Sequence, residues 1–596
     1  MPESPEAVVG SVIRLTLFSN GAQVQDTVRV ISVTVTSEIN RIPTARICLM
    51  DGDMPEKDFP LSNADDFKPG AEIKINAGYE EEEDTIFEGI VIKHGITISG
   101  ENDAQLVLEC RDKAVAMTIG RKNANYIDMK DSDIISKIVG NYSGLSADVD
   151  ATDTSFKELV QYYCTDWDFM LSRAEVNGLL TIVESGKVSV KAPDTSTAAA
   201  LKVTYGEDLM DFNADIDART QLTAVGSTSW DLATQAVVEQ SVTPQTLNSQ
   251  GDLDSATLAG VAGPASFRLQ TGAPLESAAL KTWATGQQIK AGLARIRGRM
   301  TFQGTSKAKV GTLIEVDGVG NRFNGSVFVS AIRHQISIGN WDTEATFGLS
   351  PHWFAERRDL DALPASGLLP GVGGLQIGVV MKLDEDPESE QKIQVSVPVM
   401  QNETEGVWAR LAKFYASDGI GSFFIPEIGD EVVLGYLNND PSHPVILGSL
   451  YSSKRKPPYA LTAENYTKAI VTKSELKVEF DDENKVVTIV TPASNTVVIS
   501  DKDKSILMQD ETGNKVELST SGIVLDSPKD ISVTATGKIT LDATGEIGIT
   551  SKADVSVAGL NINAEANVGF TGKGSATAEL SASGQTTVKG AMVMIN

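Results

Sequence analysis

In the last third of the chain, apolar residues return as i, i+2 pairs at a nearly fixed interval. Ile531/Val533, Ile539/Leu541, Ile547/Ile549 and Val555/Val557 are eight residues apart each time. After a one-residue slip the period continues as Ile562/Ala564, Phe570/Gly572, Ala578/Leu580 and Thr586/Val588. Looser steps run back through Ile523/Leu525, Val516/Leu518, Ile506/Met508, Val497/Ile499, Val487/Ile489 and Val478/Phe480, which makes fourteen strand-like units. Gly, Asp, Ser, Thr and Asn fill the intervals, as turns require. An eight-residue unit with two apolar side chains gains about 3–6 kcal/mol from burial and costs about 8–16 kcal/mol in backbone ordering, so it cannot stand alone. A single-chain solenoid uses coils of about 20 residues or more, whereas each unit here holds one strand and one turn. Three identical chains around a common axis, each supplying one face of a triangular prism, close the structure and leave no lateral edge. Fourteen layers spaced about 4.8 Å apart predict a stiff rod roughly 65 Å long.

The segments ahead of the rod have a different pattern. Ser11–Phe18, Thr27–Val35, Ala45–Met50, Glu72–Ala77, Thr85–His94 and Gln105–Cys110 are β-branched and partly alternating, and predict a small barrel. A helix is expected over Asp131–Gly140. A longer one is expected from a Ser155-x-x-Glu158 capping box through Phe156, Leu159, Val160, Tyr163, Trp167, Met170, Leu171 and Ala174, to a stop at Asn177-Gly178. Strands at Leu179–Val183 and Lys187–Val190, a helix at Leu275–Ile296 and strands at Leu313–Val316, Val327–His334 and Ala345–Leu349 read as a second barrel. The Pro- and Gly-rich Pro364–Gly374 is a linker. Beyond it, strands at Gln376–Leu383, Lys392–Val399, Val407–Leu411, Ser422–Ile425, Glu431–Leu437 and Val445–Leu450 suit a barrel of the OB type. The expected division is 1–370 for a region of two β-barrels with inserted helices, 371–455 for the OB unit and 466–596 for the rod.

Lys and Arg number 51 against 80 Asp and Glu, a net charge of −29. That field is adverse to nucleic acid and to anionic lipid. The amino terminus lacks a signal-peptide pattern and no run of about 18 apolar residues occurs, so a soluble chain made in the cytosol, without stable membrane insertion, is expected. Cys48, Cys110 and Cys164 are expected as reduced thiols.

At this point the residues resemble a known family. Trp408-Ala-Arg-Leu-Ala412, Gly419-Ile-Gly-Ser-Phe-Phe-Ile-Pro426-Glu-Ile-Gly-Asp-Glu-Val-Val-Leu434 and Asn439-Asp-Pro441-Ser-His-Pro444-Val-Ile-Leu-Gly448-Ser-Leu-Tyr451 are similar to the OB domain of VgrG-type spike proteins of contractile injection systems. Phe87-Glu-Gly-Ile-Val-Ile92 and Thr165-Asp-Trp-Asp-Phe-Met-Leu-Ser-Arg173 look like the hub that this family shares with contractile-phage tail proteins. The rod ending Gly590-Ala-Met-Val-Met-Ile-Asn596 looks like a spike terminus. The resemblance runs along essentially the whole chain. It implies a homotrimer that caps an inner tube of Hcp-like rings, sits in a baseplate, carries a PAAR-type tip protein and effector cargo, and is driven into a target envelope when a sheath contracts. It implies assembly in the cytoplasm and export on contraction. No catalytic domain lies between OB unit and rod, so any killing activity is expected from cargo.

Other chemistry is thin, and neither a cofactor nor a metal is expected. His94, His334, His352 and His443 form no metal-ligand spacing. Gly186-Lys187, Gly537-Lys538 and Gly572-Lys573 lack the rest of a phosphate loop, and Gly318-x-Gly320 lacks a third glycine. Asp51-Gly-Asp53 begins like a calcium loop but Pro55, Glu56 and Ser62 break it. Glu80–Asp84 is expected as a solvated hairpin tip. Phe414, Tyr415, Phe423 and Phe424 could stack bases on an OB face, but the acidic chain favours core packing and trimer contacts. The rod core is expected to include Ile531, Val533, Ile539, Leu541, Ile547, Ile549, Val555 and Val557. Tip-protein docking is expected at Ala591, Met592, Val593, Met594 and Ile595. The alternatives are a phage tail-spike enzyme acting on cell-surface polysaccharide and a carbohydrate-binding fibre.

Overall fold

The computed structural model describes residues 2–5, 11–100, 103–244, 247–262, 266–337, 339–401 and 406–595. It divides into two compact units, Met1–Leu450 and Tyr451–Asn596.

The backbone of the first unit is a 13-stranded sheet. Both expected barrels contribute to it, joined where Val30–Glu38 pairs antiparallel with Gly325–Ser337 in the register His334↔Val35 and Ile336↔Val33. Strand alternation sends Val33, Val35, Ile47, Leu49, Ile73, Ile75, Leu106 and Leu108 into one core. Met300, Phe302, Ile314, Val316, Val327, Val329 and Phe347 form a second. The two halves therefore keep separate cores while sharing one hydrogen-bonded sheet. Cys48 and Cys110 are buried and Cys164 half-buried, all as free thiols, and burial pushes the Cys110 thiol up to about 12.

A third core is helical. The helix Asp131–Gly140 has the expected bounds. The longer helix does not: Ser155–Cys164 is a strand paired with Lys122–Lys130, and the helix runs only over Asp166–Val176. Thr165 supplies the cap, its Oγ1 accepting from the Asp168 N–H at 3.0 Å. The Glu158 carboxylate instead accepts from the Asn125 amide across the ribbon. Pairing decided the matter, because as a strand the segment turns Leu159 and Gln161 inward beside Tyr126, with Gln161 1% exposed and its amide donating to Asp166. Burial raises the Asp166 carboxyl, but hydrogen bonds from Lys122, Gln161 and Tyr142 outweigh it and hold the group below the usual carboxylate range.

His334 is buried, with Nδ1 2.9 Å from the Thr343 hydroxyl and its ring against Trp341, and burial holds its imidazole down at about 4. A histidine buried neutral contributes its stability in full above its unfolded value of 6.5. That contribution is lost as the pH falls towards 4, because unfolding then takes up a proton. We expect the unfolding free energy of this unit to fall over that window by up to about 3 kcal/mol, lowering its thermal transition. His334→Gln should flatten the slope in a calorimetric pH series.

The linker is docked, not free. Val372 donates its N–H to Asn439 O and Ser366 Oγ accepts from the Asn438 amide, so Pro364–Gly374 straps onto the unit it precedes. That unit is a closed five-stranded barrel of Gln376–Lys382, Ile393–Ser396, Val407–Leu411, Pro444–Ser449 and Glu431–Tyr436. Its core is Val380, Ile393, Val395, Ala409, Val432, Leu434 and Ile446. The strand expected at Ser422–Ile425 is absent. A minimal hairpin, Ala416–Ser417 with Ile420–Gly421, lies just ahead of it.

Candidate assembly surfaces

The second unit opens with seven five-residue strands: Thr467–Val471, Lys477–Asp481, Val486–Val490, Thr496–Ser500, Ser505–Gln509, Lys515–Ser519 and Gly522–Asp526. Each pairs antiparallel with the next, forming a meander within one chain. This corrects the expectation that every unit of the rod needs sister chains for its backbone pairing. The register aligns the apolar pairs across the sheet: Val478↔Ile489, Phe480↔Val487, Val487↔Ile499, Ile489↔Val497, Val497↔Met508, Ile499↔Ile506, Met508↔Val516, Ile506↔Leu518, Val516↔Leu525 and Leu518↔Ile523. Directly opposed residues share a face. One face of this single-layer sheet is therefore continuously apolar, while the other mixes Glu479, Thr488, Val498, Leu507, Glu517 and Val524. Among the described residues of this unit nothing covers the apolar face: Ile499 is 48% exposed and Leu525 58%.

After Asp526 the pairing stops. No strand is formed over 527–595, yet the chain is regular, with bends beginning at 528, 536, 544, 552 and 560 and, after one seven-residue step, at 567, 575, 583 and 591. The seven-residue step in the apolar pairs, from 555 to 562, comes one unit ahead of that in the bends. Ile531, Val533, Ile539, Leu541, Ile547, Ile549, Val555 and Val557 are 52–74% exposed, in an order that repeats from pair to pair. At the end Ala591 to Ile595 stand open, with Met592 80% and Met594 82% exposed.

The barrel carries a third exposed surface. Phe414, Tyr415, Phe423 and Phe424 are exposed around the small hairpin and contribute nothing to the barrel core, which corrects the expectation of core packing. The arm has a fixed shape: Ser422 donates its N–H to Tyr415 O, and Lys413 Nζ donates to Phe424 O and lies 5.9 Å from the Phe423 ring.

Elsewhere the chemical candidates resolve into structure. Among the described residues no cluster of three or more His, Cys, Asp or Glu could hold a metal. The Asp51 carboxylate accepts from the Leu61 and Ser62 N–H groups, and His94 bonds Ser62 Oγ and Phe67 O. His352 faces Glu356 at 3.1 Å. The acidic tract is only partly solvated: Glu80 accepts from the Val12 N–H, Glu83 from the Thr16 hydroxyl and Asp84 from the Ser306 hydroxyl. No helix among the described residues is long and apolar enough to cross a membrane.

Residues 9–337, more than half of the chain, match the family model of the Alg8 N-terminal domain. Residues 376–451 match that of the type VI secretion system/phage-baseplate injector OB domain. The type VI secretion system spike protein VgrG3 of Vibrio cholerae serotype O1 is 39% identical over 70 residues, 12% of this chain and 7% of that protein. The actin cross-linking toxin VgrG1 of Vibrio cholerae is 31% identical over 139 residues, 21% of this chain and 11% of that protein. The matched segments thus span only a small part of the length of these curated relatives. The tail protein from Neisseria meningitidis MC58 superimposes with a TM-score of 0.43 at 13% identity, over 58% of this chain and 98% of that one. The match over residues 9–337 places the chain in the family of the Alg8 N-terminal domain, and the closed barrel over 376–451, with the curated spike proteins it matches, marks it as a VgrG-type spike of contractile injection systems.

Proposed function

We propose that three copies of the chain form the central spike and hub of the apparatus, divided as 1–370 hub, 371–455 OB collar and 466–596 rod. The observation that carries this reading is the meander's uncovered apolar face. Exposed contiguous apolar surface marks a contact, and a repetitive single-layer sheet with one apolar face is satisfied when copies bring those faces together around an axis. Over 527–595 the same logic extends to the backbone, whose N–H and C=O groups lack intrachain ladders and would pair between chains. The aromatic arm at Phe414–Phe424 adds a contact between neighbouring OB barrels. The rod pierces mechanically, the hub caps a tube of Hcp-like rings within the baseplate, and the open end Ala591–Ile595 seats a PAAR-type tip protein with its effector cargo. The protein itself catalyses nothing; it is assembled in the cytoplasm and leaves on contraction.

Mass measurement in solution tests the reading. Three chains give about 190 kDa against 63.5 kDa for one, and a well-folded monomer across the working concentration range contradicts it. Two narrower outcomes follow. Met592→Lys with Met594→Lys should abolish co-purification of a PAAR-type protein while leaving the mass unchanged, since both side chains are exposed at the terminus. Phe423→Ser with Phe424→Ser should weaken self-association, read as dissociation at a chain concentration at least tenfold higher, without lowering the unfolding temperature of the barrel.

A further inference from the structure

On the outward face of the hub sheet, the register brings four cations into one trough. Arg46 and Lys93 are the cross-strand partners of Glu109 from either side, and Arg111 pairs with that same Glu109 at 2.8 Å. Arg333 lies opposite Thr36, whose other neighbour is Thr44, itself opposite Arg111. These residues line a recess of about 560 Å³ together with Thr34 and Thr97. One carboxylate, already bound by Arg111, stands against four cations. Arg46, Lys93 and Arg333 are exposed and form no ion pair among the described residues. Glu344 is the cross-strand neighbour of Arg333 but leans 4.0 Å from Arg299.

In a chain of net charge −29, a concave site that gathers unpaired cations runs against the molecule's own field. We infer that this trough is a docking site for an acidic segment of a partner protein. Carboxylates would meet Arg46, Lys93 and Arg333, the threonine hydroxyls would take further hydrogen bonds, and Val107 would offer an apolar contact beside them. A protein segment fits better than nucleic acid because no aromatic side chain lines the trough for stacking, and the surrounding field repels a long polyanion while a short segment is held locally. The trough lies within one chain and does not depend on the trimer.

The test uses the full-length protein and a fluorescein-labelled decapeptide of alternating Glu and Leu, read by anisotropy at about 50 mM salt and again at about 0.5 M. Binding at low salt that is lost at high salt is expected. Arg46→Glu, Lys93→Glu and Arg333→Glu together should weaken it at least tenfold. Lys529→Glu, Lys538→Glu and Lys552→Glu, an equal change in net charge far along the sequence, should not. Circular dichroism melting of both triples controls for folding, and Arg46→Gln, Lys93→Gln and Arg333→Gln should still reduce binding if the reversals disturb the sheet. Absence of peptide binding, an equal loss in the control triple, or tighter binding of a labelled thymidine oligonucleotide would each overturn the inference.

Discussion

A full-length chain carrying Ile499→Lys and Ile506→Lys is expected to run as a 63.5 kDa species, where the proposed trimer of the parent would give about 190 kDa. The two residues are direct cross-strand partners at the middle of the meander's apolar face. Covering the exposed half of the apolar side chains on that face contributes on the order of 10–20 kcal/mol per chain, comparable to or above the ~4–15 kcal/mol that association costs. Two lysines placed opposite each other reverse this locally. In a three-fold arrangement six ammonium groups would share one apolar interior with no counter-charge, and each would cost several kcal/mol to desolvate. Thr488→Lys with Gln509→Lys puts the same charges on the opposite face and should leave the mass at the parental value. A double-lysine variant that stays trimeric would mean that some other surface holds the copies together.

The second large effect is expected from Asp131→Ala. The Asp131 carboxylate, 1% exposed as a residue, accepts from Arg173 Nε at 2.7 Å and Nη2 at 2.9 Å and from the Asn177 amide at 2.8 Å. It sits in the first turn of Asp131–Gly140, while its partners sit at the end of Asp166–Val176, so one carboxylate fastens two helices. Removing it leaves a guanidinium with 17% side-chain exposure and no counter-ion, and breaking such a pair costs about 3–5 kcal/mol. Because the chain contains several cores, the effect should appear as a fall in the hub's thermal transition with the OB barrel's transition unmoved. Replacing Arg173 and Asp131 together by Met and Leu should recover much of the loss, since the cost is that of an orphaned charge.

Most of the architecture was legible in the residues, because apolar alternation is read directly by a sheet. The eight-residue interval and its single slip appear in the bends of the backbone, and the OB strands fall close to where β-branched runs placed them. What was not legible depended on pairing over distance. Phe156, Leu159, Val160 and Tyr163 sit at spacings that suit a helix as well as a strand, and only Lys122–Lys130 on the other edge decides between them. Nor could spacing alone show where the tail stops pairing with itself. Phe414, Phe423 and Phe424 were legible as aromatic but not as exposed, because composition cannot tell a core from a contact surface. The trough of Arg46, Lys93, Arg111 and Arg333 has no local signature, being assembled across five strands.

The lone seven-residue step between the bends at 560 and 567 has a consequence for how tails would align in the proposed trimer. A strictly uniform repeat is degenerate: one copy can slide along its sisters by a whole unit and lose only a layer at each end. A single odd interval removes that freedom, since notches at different heights leave every layer between them out of phase. In the proposed trimer the irregularity would thus work as a vernier mark, set once in each tail, that admits only the arrangement with all three in register.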